Sequence, residues 1–488
     1  MKEKRDAPIA MTGEQFRKTG YQLIDALAGF IDNIHARPVT TSQTPEQLQT
    51  LIGRRSLPQE GSDPVELVNR ATGLLINHSL FNGHPKFLGY ITSSPAPLGA
   101  LADLLAAVIN PNVGAQVLSP VATEIEKQTI QWLAELIGVP GFNGLLVSGG
   151  NMANITAYAT AKTIKSKGNE NMFTVYCPKT THAWIEKAVK LFGPGTENLR
   201  WIEINEQQQM DTSLLEQTIT IDIKNGYQPL MVVGTAGDVS TGAVDDLKTI
   251  AAICKKHDTW FHVDGAYGAP AAALPDMQNV FEGMADADSI ALDPHKWLYS
   301  PLEAGCVLVK NPHHLTETFS SHPVYYNFDG KDGIKMLNYY EYGFQNSRGF
   351  KALKVWLALQ QAGRNGYIKM IAEDIALSLS LYRLAENHPE LEAVSQHLSI
   401  TTLRYIPAGL KNTGQDDAYL NRLNEALLNE LQKGGEVFLS NAVIKGKYCL
   451  RGCIVNFRTT QTDIHEITGI ILREGRRIHE AIYPTLPH

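Results

Sequence analysis

The stretch "GLLVSGGNMANITAYATAKTIK" spans residues 144–165. Leu145, Leu146 and Val147 make a short apolar run, as in a buried strand. Ser148, Gly149 and Gly150 end that run, and residues 151–165 read as a helix. A strand that turns through glycine into a helix is half of a βα unit, and the pattern repeats outward. "MFTVYCP" (172–178) is followed by "AWIEKAVKLFG" (183–193), and "LMVVGTAG" (230–237) by "DDLKTIAAICKKH" (245–257). "TWFHVDGAYG" (259–268), "SIALDPHKW" (289–297) and "EAGCVLVK" (303–310) supply further strands. Strands alternating with helices predict an α/β fold with a mostly parallel sheet. Such sheets carry their functional residues beyond the C-terminal strand ends.

The flanks differ in rhythm. Phe16, Leu23, Ile24, Leu27, Phe30 and Ile31 form an apolar stripe on a helix within 13–34. More helices are expected at about 64–77, 97–110 and 121–138. A long helix, 348–362, follows a loop of about thirty residues. After about 374 the order becomes helix, strand, helix, strands, helix, which reads as a smaller α+β domain. The expected division is an N-terminal helical segment (1–84), a large domain (85–373) and a small C-terminal domain (374–488).

With 488 residues, the chain is too long for one core. A net charge of −7 argues against a general nucleic-acid binder and against an anionic membrane surface. The longest apolar stretch, "LGALADLLAAVI", is interrupted by Asp103 and too short to span a bilayer. The polar start "MKEKRDAPIAMTGEQ" has no apolar signal core. Five cysteines in odd number, without CxxC spacing, read as reduced packing residues. A cytoplasmic enzyme or a soluble binding protein is expected.

The strand tips carry the chemistry. "SIALDPHKWLYSP" (289–301) ends an apolar run in His295-Lys296. The simple reading is a strand reaching the surface with a solvated lysine; a lysine kept from water would instead be a better nucleophile. Ser148-Gly149-Gly150-Asn151 leads into a helix, where glycine serves either turn geometry alone or the close approach of an anion to free N–H groups. Asp264 follows the apolar "WFHV" and either begins a turn or faces a ligand. His182 lies at a helix start, as a surface residue or a ring to stack on. Taken together they match the needs of pyridoxal phosphate: N–H groups for the phosphate, a carboxylate to keep the pyridine nitrogen protonated, and a lysine for the aldehyde.

The motifs resemble the group II pyridoxal-phosphate decarboxylases, the family of the aromatic-L-amino-acid decarboxylases. The matching stretches are "HPKFLGYIT", "LSPVATEIE", "LVSGGNMANITA", "THAWIEKA", "WFHVDGAYG", "DPHKWLYSP", "SRGFKALKVWLAL" and "CLRGCIVNFRTT". The resemblance covers about residues 10–480 and implies the type I aminotransferase-like fold, pyridoxal 5'-phosphate as cofactor and an amino-acid substrate. It also implies a homodimer with the active site at or near the subunit interface, the N-terminal segment wrapping the partner. By resemblance Lys296 bonds the cofactor, Asp264 pairs with the pyridinium and His182 stacks on the ring. Gly150 and Asn151 fall at the phosphate, His295 adjoins it, and Ala266 packs the other ring face. The implied reaction is α-decarboxylation, with an aromatic amino acid favoured. An acidic or diamino acid, an aldehyde synthase and a non-catalytic pyridoxal-phosphate protein are the alternatives.

Within the loop 319–346, Tyr325 aligns with the family's proton donor, with Tyr326 adjacent. Three places depart from the family pattern. Residue 265 is Gly where Ala is common. Asp238 stands where hydroxyl residues are common, so its loop is expected to point away from the phosphate. Asn112-Val113-Gly114 replaces bulkier apolar residues.

Overall fold

The computed structural model describes residues 7–482 apart from 54–55, 167–171, 322–335, 409 and 411–416. The N-terminal part holds α1 (Gly13–Asn33), α2 (Pro45–Ile52) and α3 (Pro64–His78). Each starts on a side-chain cap that meets otherwise unpaired N–H groups: Thr12 and Thr44 in capping boxes, and Asp63 on the N–H groups of Val65 and Glu66. Then follow α4 (Pro97–Ile109) and α5 (Pro120–Leu136), both with proline in the first turn, where its missing N–H costs nothing.

The large sheet comprises β1 (Asn143–Val147), β2 (Phe173–Pro178), β3 (Leu199–Ile202), β4 (Gln228–Thr235), β5 (Trp260–Asp264), β6 (Ser289–Leu292) and β7 (Gly305–Val309). Its order is β1-β7-β6-β5-β4-β2-β3, with β7 antiparallel to both neighbours and every other pair parallel. The crossovers carry α6 (Gly150–Lys165), α7 (Trp184–Phe192), α8 (Thr212–Lys224) and α9 (Leu247–Lys256). Strands β6 and β7 are buried along their whole length, which is why they read as unbroken apolar runs.

Beyond β7 lie α10 (His313–Phe319) and α11 (Ala352–Asn387), the latter interrupted at Gly363 with φ 64° and ψ 171°. The long helix expected from residue 348 begins at Ala352 instead. Arg348 is held outside the helix, its N–H on Asn112 Oδ1 at 3.0 Å and its carbonyl accepting from Val113 N–H at 2.8 Å. A second sheet, entirely antiparallel, contains β8 (Leu391–His397), β9 (Ile400–Tyr405), β10 (Ser440–Ile444) and β11 (Lys447–Cys453) in the order β10-β11-β9-β8. Helices α12 (Asp417–Gly434) and α13 (Gln461–Ile482) pack on it. The stretch 87–96 ties the two sheets together: Leu88 N–H donates to Phe438 O, its carbonyl accepts from Cys453 N–H, and Ala96 N–H reaches Tyr299 O. All five cysteines are free and buried. No helix among the described residues is long and apolar enough to cross a membrane.

Candidate active site

The tips of β1, β4, β5 and β6 converge on a cavity of about 370 Å³, whose lining includes Gly150, Asn151, His182, Asp264, His295 and Lys296. Ala266 also lines it, so every sequence-derived site residue except Tyr325 lies around one space. Tyr325 and Tyr326 fall outside the described residues.

One wall is the first turn of α6. This helix begins at Gly149–Gly150 with no side-chain cap, so its leading N–H groups stay available to an anion. The glycines are needed for close approach. A Cβ on Gly150 would lie 2.7 Å from Asp293 Oδ2 and 3.1 Å from Ala266 Cβ; one on Gly149 would lie 3.1 Å from His295 Cε1. His295 accepts from Ala304 N–H on Nδ1 at 3.1 Å, so the neutral ring carries its proton on Nε2. Burial holds its pKa below the ordinary histidine value, against the pull of Asp293.

Asp264 ends β5. Its Oδ2 accepts from Trp184 Nε1 at 2.7 Å and from Asn154 Nδ2 at 3.1 Å, and its Oδ1 from Ala266 N–H at 3.3 Å. Lys296 Nζ lies on the β6 side, 3.0 Å from Asp293 Oδ2. His182 accepts from Trp184 N–H on Nδ1 at 3.3 Å. Desolvation lowers its pKa, with Lys296 adding to the effect and Asp264 opposing it. Thr235 Oγ1, at the tip of β4, and Asp293 Oδ1 are buried without a hydrogen-bond partner among the described residues.

The three departures have local explanations. Gly265 is required because a Cβ there would lie 2.7 Å from Ala269 Cβ. Gly237 and Val239 do line the cavity, contrary to the expectation that this loop points elsewhere. Asp238 itself is turned away from the anion wall: its Oδ1 accepts from Ser240 N–H (2.9 Å), Thr241 N–H (2.8 Å) and Thr241 Oγ1 (2.9 Å), closing its own turn. Asn112 Oδ1 accepts from the N–H groups of Gly114 and Arg348, and Val113 is fully buried, so this trio anchors the chain that enters α11.

The sequence reading did not single out Asn154, Trp184, Asp293 or Thr235. Asn154 was within reach, since it follows Gly150 by one helical turn and so shares its face.

These residues fit pyridoxal phosphate: an uncapped helix start for the phosphate, an oriented carboxylate, a lysine at a strand tip and unpaired buried acceptors. The comparisons agree. Residues 45–404 match the pyridoxal-dependent decarboxylase conserved domain. An aromatic-L-amino-acid decarboxylase of Bacillus atrophaeus is 33% identical over 94% of this chain and 95% of its own length. A phenylacetaldehyde synthase of a Rosa hybrid cultivar is 28% identical, covering 96% of this chain and 95% of its own. The solved structure of Oryza sativa TDC with pyridoxal phosphate and tryptamine superposes with a TM-score of 0.91 at 22% identity, over 97% of this chain and all of that one, and so speaks for the fold. The chain belongs to the pyridoxal-dependent decarboxylase family and is a carboxy-lyase that uses pyridoxal 5'-phosphate.

Proposed function

We propose that the enzyme removes the α-carboxylate of an aromatic L-amino acid, releasing CO₂ and the amine. The observation that carries this reading is the near full-length likeness to a decarboxylase named for aromatic L-amino acids. The cavity supports it: among its described lining residues, Lys296 is the one lysine or arginine. A second, side-chain carboxylate of an acidic substrate would find no guanidinium on this wall.

In this reading the first-turn N–H groups of Gly150 and Asn151, with His295 beside them, hold the phosphate. Lys296, on the cavity wall, would hold the cofactor through its aldehyde and leave it open to a substrate amine. Asp264 keeps the pyridine nitrogen protonated, while His182 and Ala266 confine the ring from opposite faces. When bound, pyridoxal phosphate supplies the sink for the electron pair left as CO₂ departs. Cα then needs a proton, and Tyr325 is the proposed donor. We further infer a homodimer. Phe16, Ile24, Leu27 and Ile31 on α1, and Leu101, Leu105 and Ile109 on α4, are exposed apolar side chains that a partner would cover.

An aldehyde synthase is the second reading, favoured by the likeness to phenylacetaldehyde synthases. The test is CO₂ release from a panel of aromatic, acidic and diamino acids, with amine, peroxide and ammonia measured beside it. Turnover confined to acidic or diamino acids would overturn the aromatic assignment. Peroxide and ammonia in step with CO₂ would identify the synthase.

A further inference from the structure

Behind Asp264 runs a chain of hydrogen bonds whose direction is fixed by chemistry. Asp264 Oδ2 takes Asn154 Nδ2 at 3.1 Å. A carboxylate only accepts, so the Asn154 amide must turn its NH₂ to Asp264 and its oxygen to His262, whose Nε2 is 2.7 Å away. His262 Nε2 is therefore the donor. Full burial pushes the His262 pKa down to about 4, so the ring is neutral and its Nδ1 bears no proton. That nitrogen, 2.8 Å from Ser289 Oγ, accepts the serine O–H. The serine oxygen in turn accepts from Trp260 Nε1 at 2.8 Å. Every proton in the series points toward Asp264. Trp184 Nε1 adds a second donor to the same oxygen at 2.7 Å. Oδ2 thus receives two strong donors, whereas Oδ1 has one long contact, from Ala266 N–H at 3.3 Å.

We propose that Asn154, His262 and Trp184 are positioning residues that hold Asp264 as an oriented acceptor, with Oδ2 occupied and Oδ1 kept for the pyridine nitrogen. Two donors on one oxygen, backed by a connected series of hydrogen bonds, stop the group from rotating. This inference rests on the proposed role of Asp264 as the pyridinium partner.

The test is the dissociation constant of pyridoxal 5'-phosphate, measured by equilibrium dialysis on full-length protein, with thermal stability followed in parallel. Asn154→Asp is nearly isosteric but sets one carboxylate against another. It should weaken cofactor binding at least about tenfold, the lower end of the loss when a residue supporting a metal ligand is replaced. His262→Gln keeps a donor and an acceptor and should stay within about threefold of wild type; His262→Leu keeps bulk without either and should lose at least about tenfold. Cofactor affinity unchanged in Asn154→Asp, or equal losses in His262→Gln and His262→Leu, would overturn the proposal. If His262→Leu does not fold, Asn154→Asp decides alone. Asp264→Asn separates the two layers: near wild-type turnover there would refute the role of Asp264 itself, whereas lost turnover together with intact Asn154→Asp binding refutes the positioning chain alone.

Discussion

The Lys296 ammonium lies 3.0 Å from Asp293 Oδ2, three residues before it at the tip of β6. Asp293 is 1% exposed and its other oxygen has no hydrogen-bond partner among the described residues. Lys296 is thus its nearest cation, and the charge of each keeps the other tolerable in a half-dry pocket. Gly150 makes the arrangement possible, because any side chain there would collide with Asp293. The anion wall and the lysine wall are therefore packed as one unit.

Lys296→Ala removes the amine that would bond the cofactor aldehyde. Cofactor should still bind through the phosphate wall, but borohydride should no longer fix it to the chain, as read by mass spectrometry. The lysine-linked visible absorbance should vanish and turnover should fall at least about 100-fold, the lower end for loss of a positioned catalytic group. Retention of both signals would show that another lysine does this work.

Most of this unit was legible from the residues. Lys296 and Asp264 stand out because each breaks an apolar run at a strand end, and the period-two and glycine signals locate those ends. Asn154 and His262 did not stand out, because polar residues inside a helix and a strand look like ordinary surface positions until their facing elements are known. The inward turn of Asp238 is equally local: its neighbours Ser240 and Thr241 offer two N–H groups and a hydroxyl at the right spacing, and charge reasoning about the phosphate could not weigh that. The antiparallel insertion of β7 between β1 and β6 was hidden too, since a buried apolar run carries no mark of its direction.

Asp374, on α11, grips the loop that carries Lys296. Its Oδ2 accepts from Trp297 Nε1 at 2.9 Å and Tyr299 O–H at 2.6 Å, the residues one and three beyond the lysine. Burial outweighs those donors and pushes its pKa up to about 7. The folded state therefore holds this proton up to about pH 7, whereas the unfolded chain releases it near pH 4. A raised folded-state pKa makes stability fall as pH rises between those values and level off above the higher one. Asp374→Asn keeps an acceptor oxygen but cannot titrate. The stability difference between wild type and Asp374→Asn should therefore shift against wild type by up to about 4 kcal/mol from pH 4 to pH 7. Denaturant melts across that range check it; a pH-independent difference would mean the carboxyl is ionised throughout.

The N-terminal helices expose more apolar surface than a free chain tolerates well. Phe16 is 49% exposed, Tyr21 64% and Leu75 67%. Deleting residues 1–60 removes α1 and α2 and should leave insoluble protein, or soluble protein with under about a tenth of the activity, if those helices complete a dimer. Light scattering on the intact chain should report two subunits. An active, monomeric truncation would refute the wrapping role.

Tyr325 is the last assignment open to a direct test. Once CO₂ has left, Cα holds an electron pair that can take a proton or be lost to oxygen. A phenol within hydrogen-bond reach delivers the proton first. Phenylalanine fills the same space with no proton to give. Tyr325→Phe should therefore release CO₂ yet make less amine. In air the difference should appear as aldehyde: each substrate, with one O₂ and one water, gives aldehyde, CO₂, ammonia and hydrogen peroxide. The measurement is the amine-to-aldehyde ratio for Tyr325→Phe beside Tyr326→Phe. A ratio that moves only in Tyr326→Phe transfers the role to the neighbour. A ratio unmoved in both removes the donor from this pair, and His182, on the cavity wall with its pKa lowered by desolvation, becomes the next group to substitute.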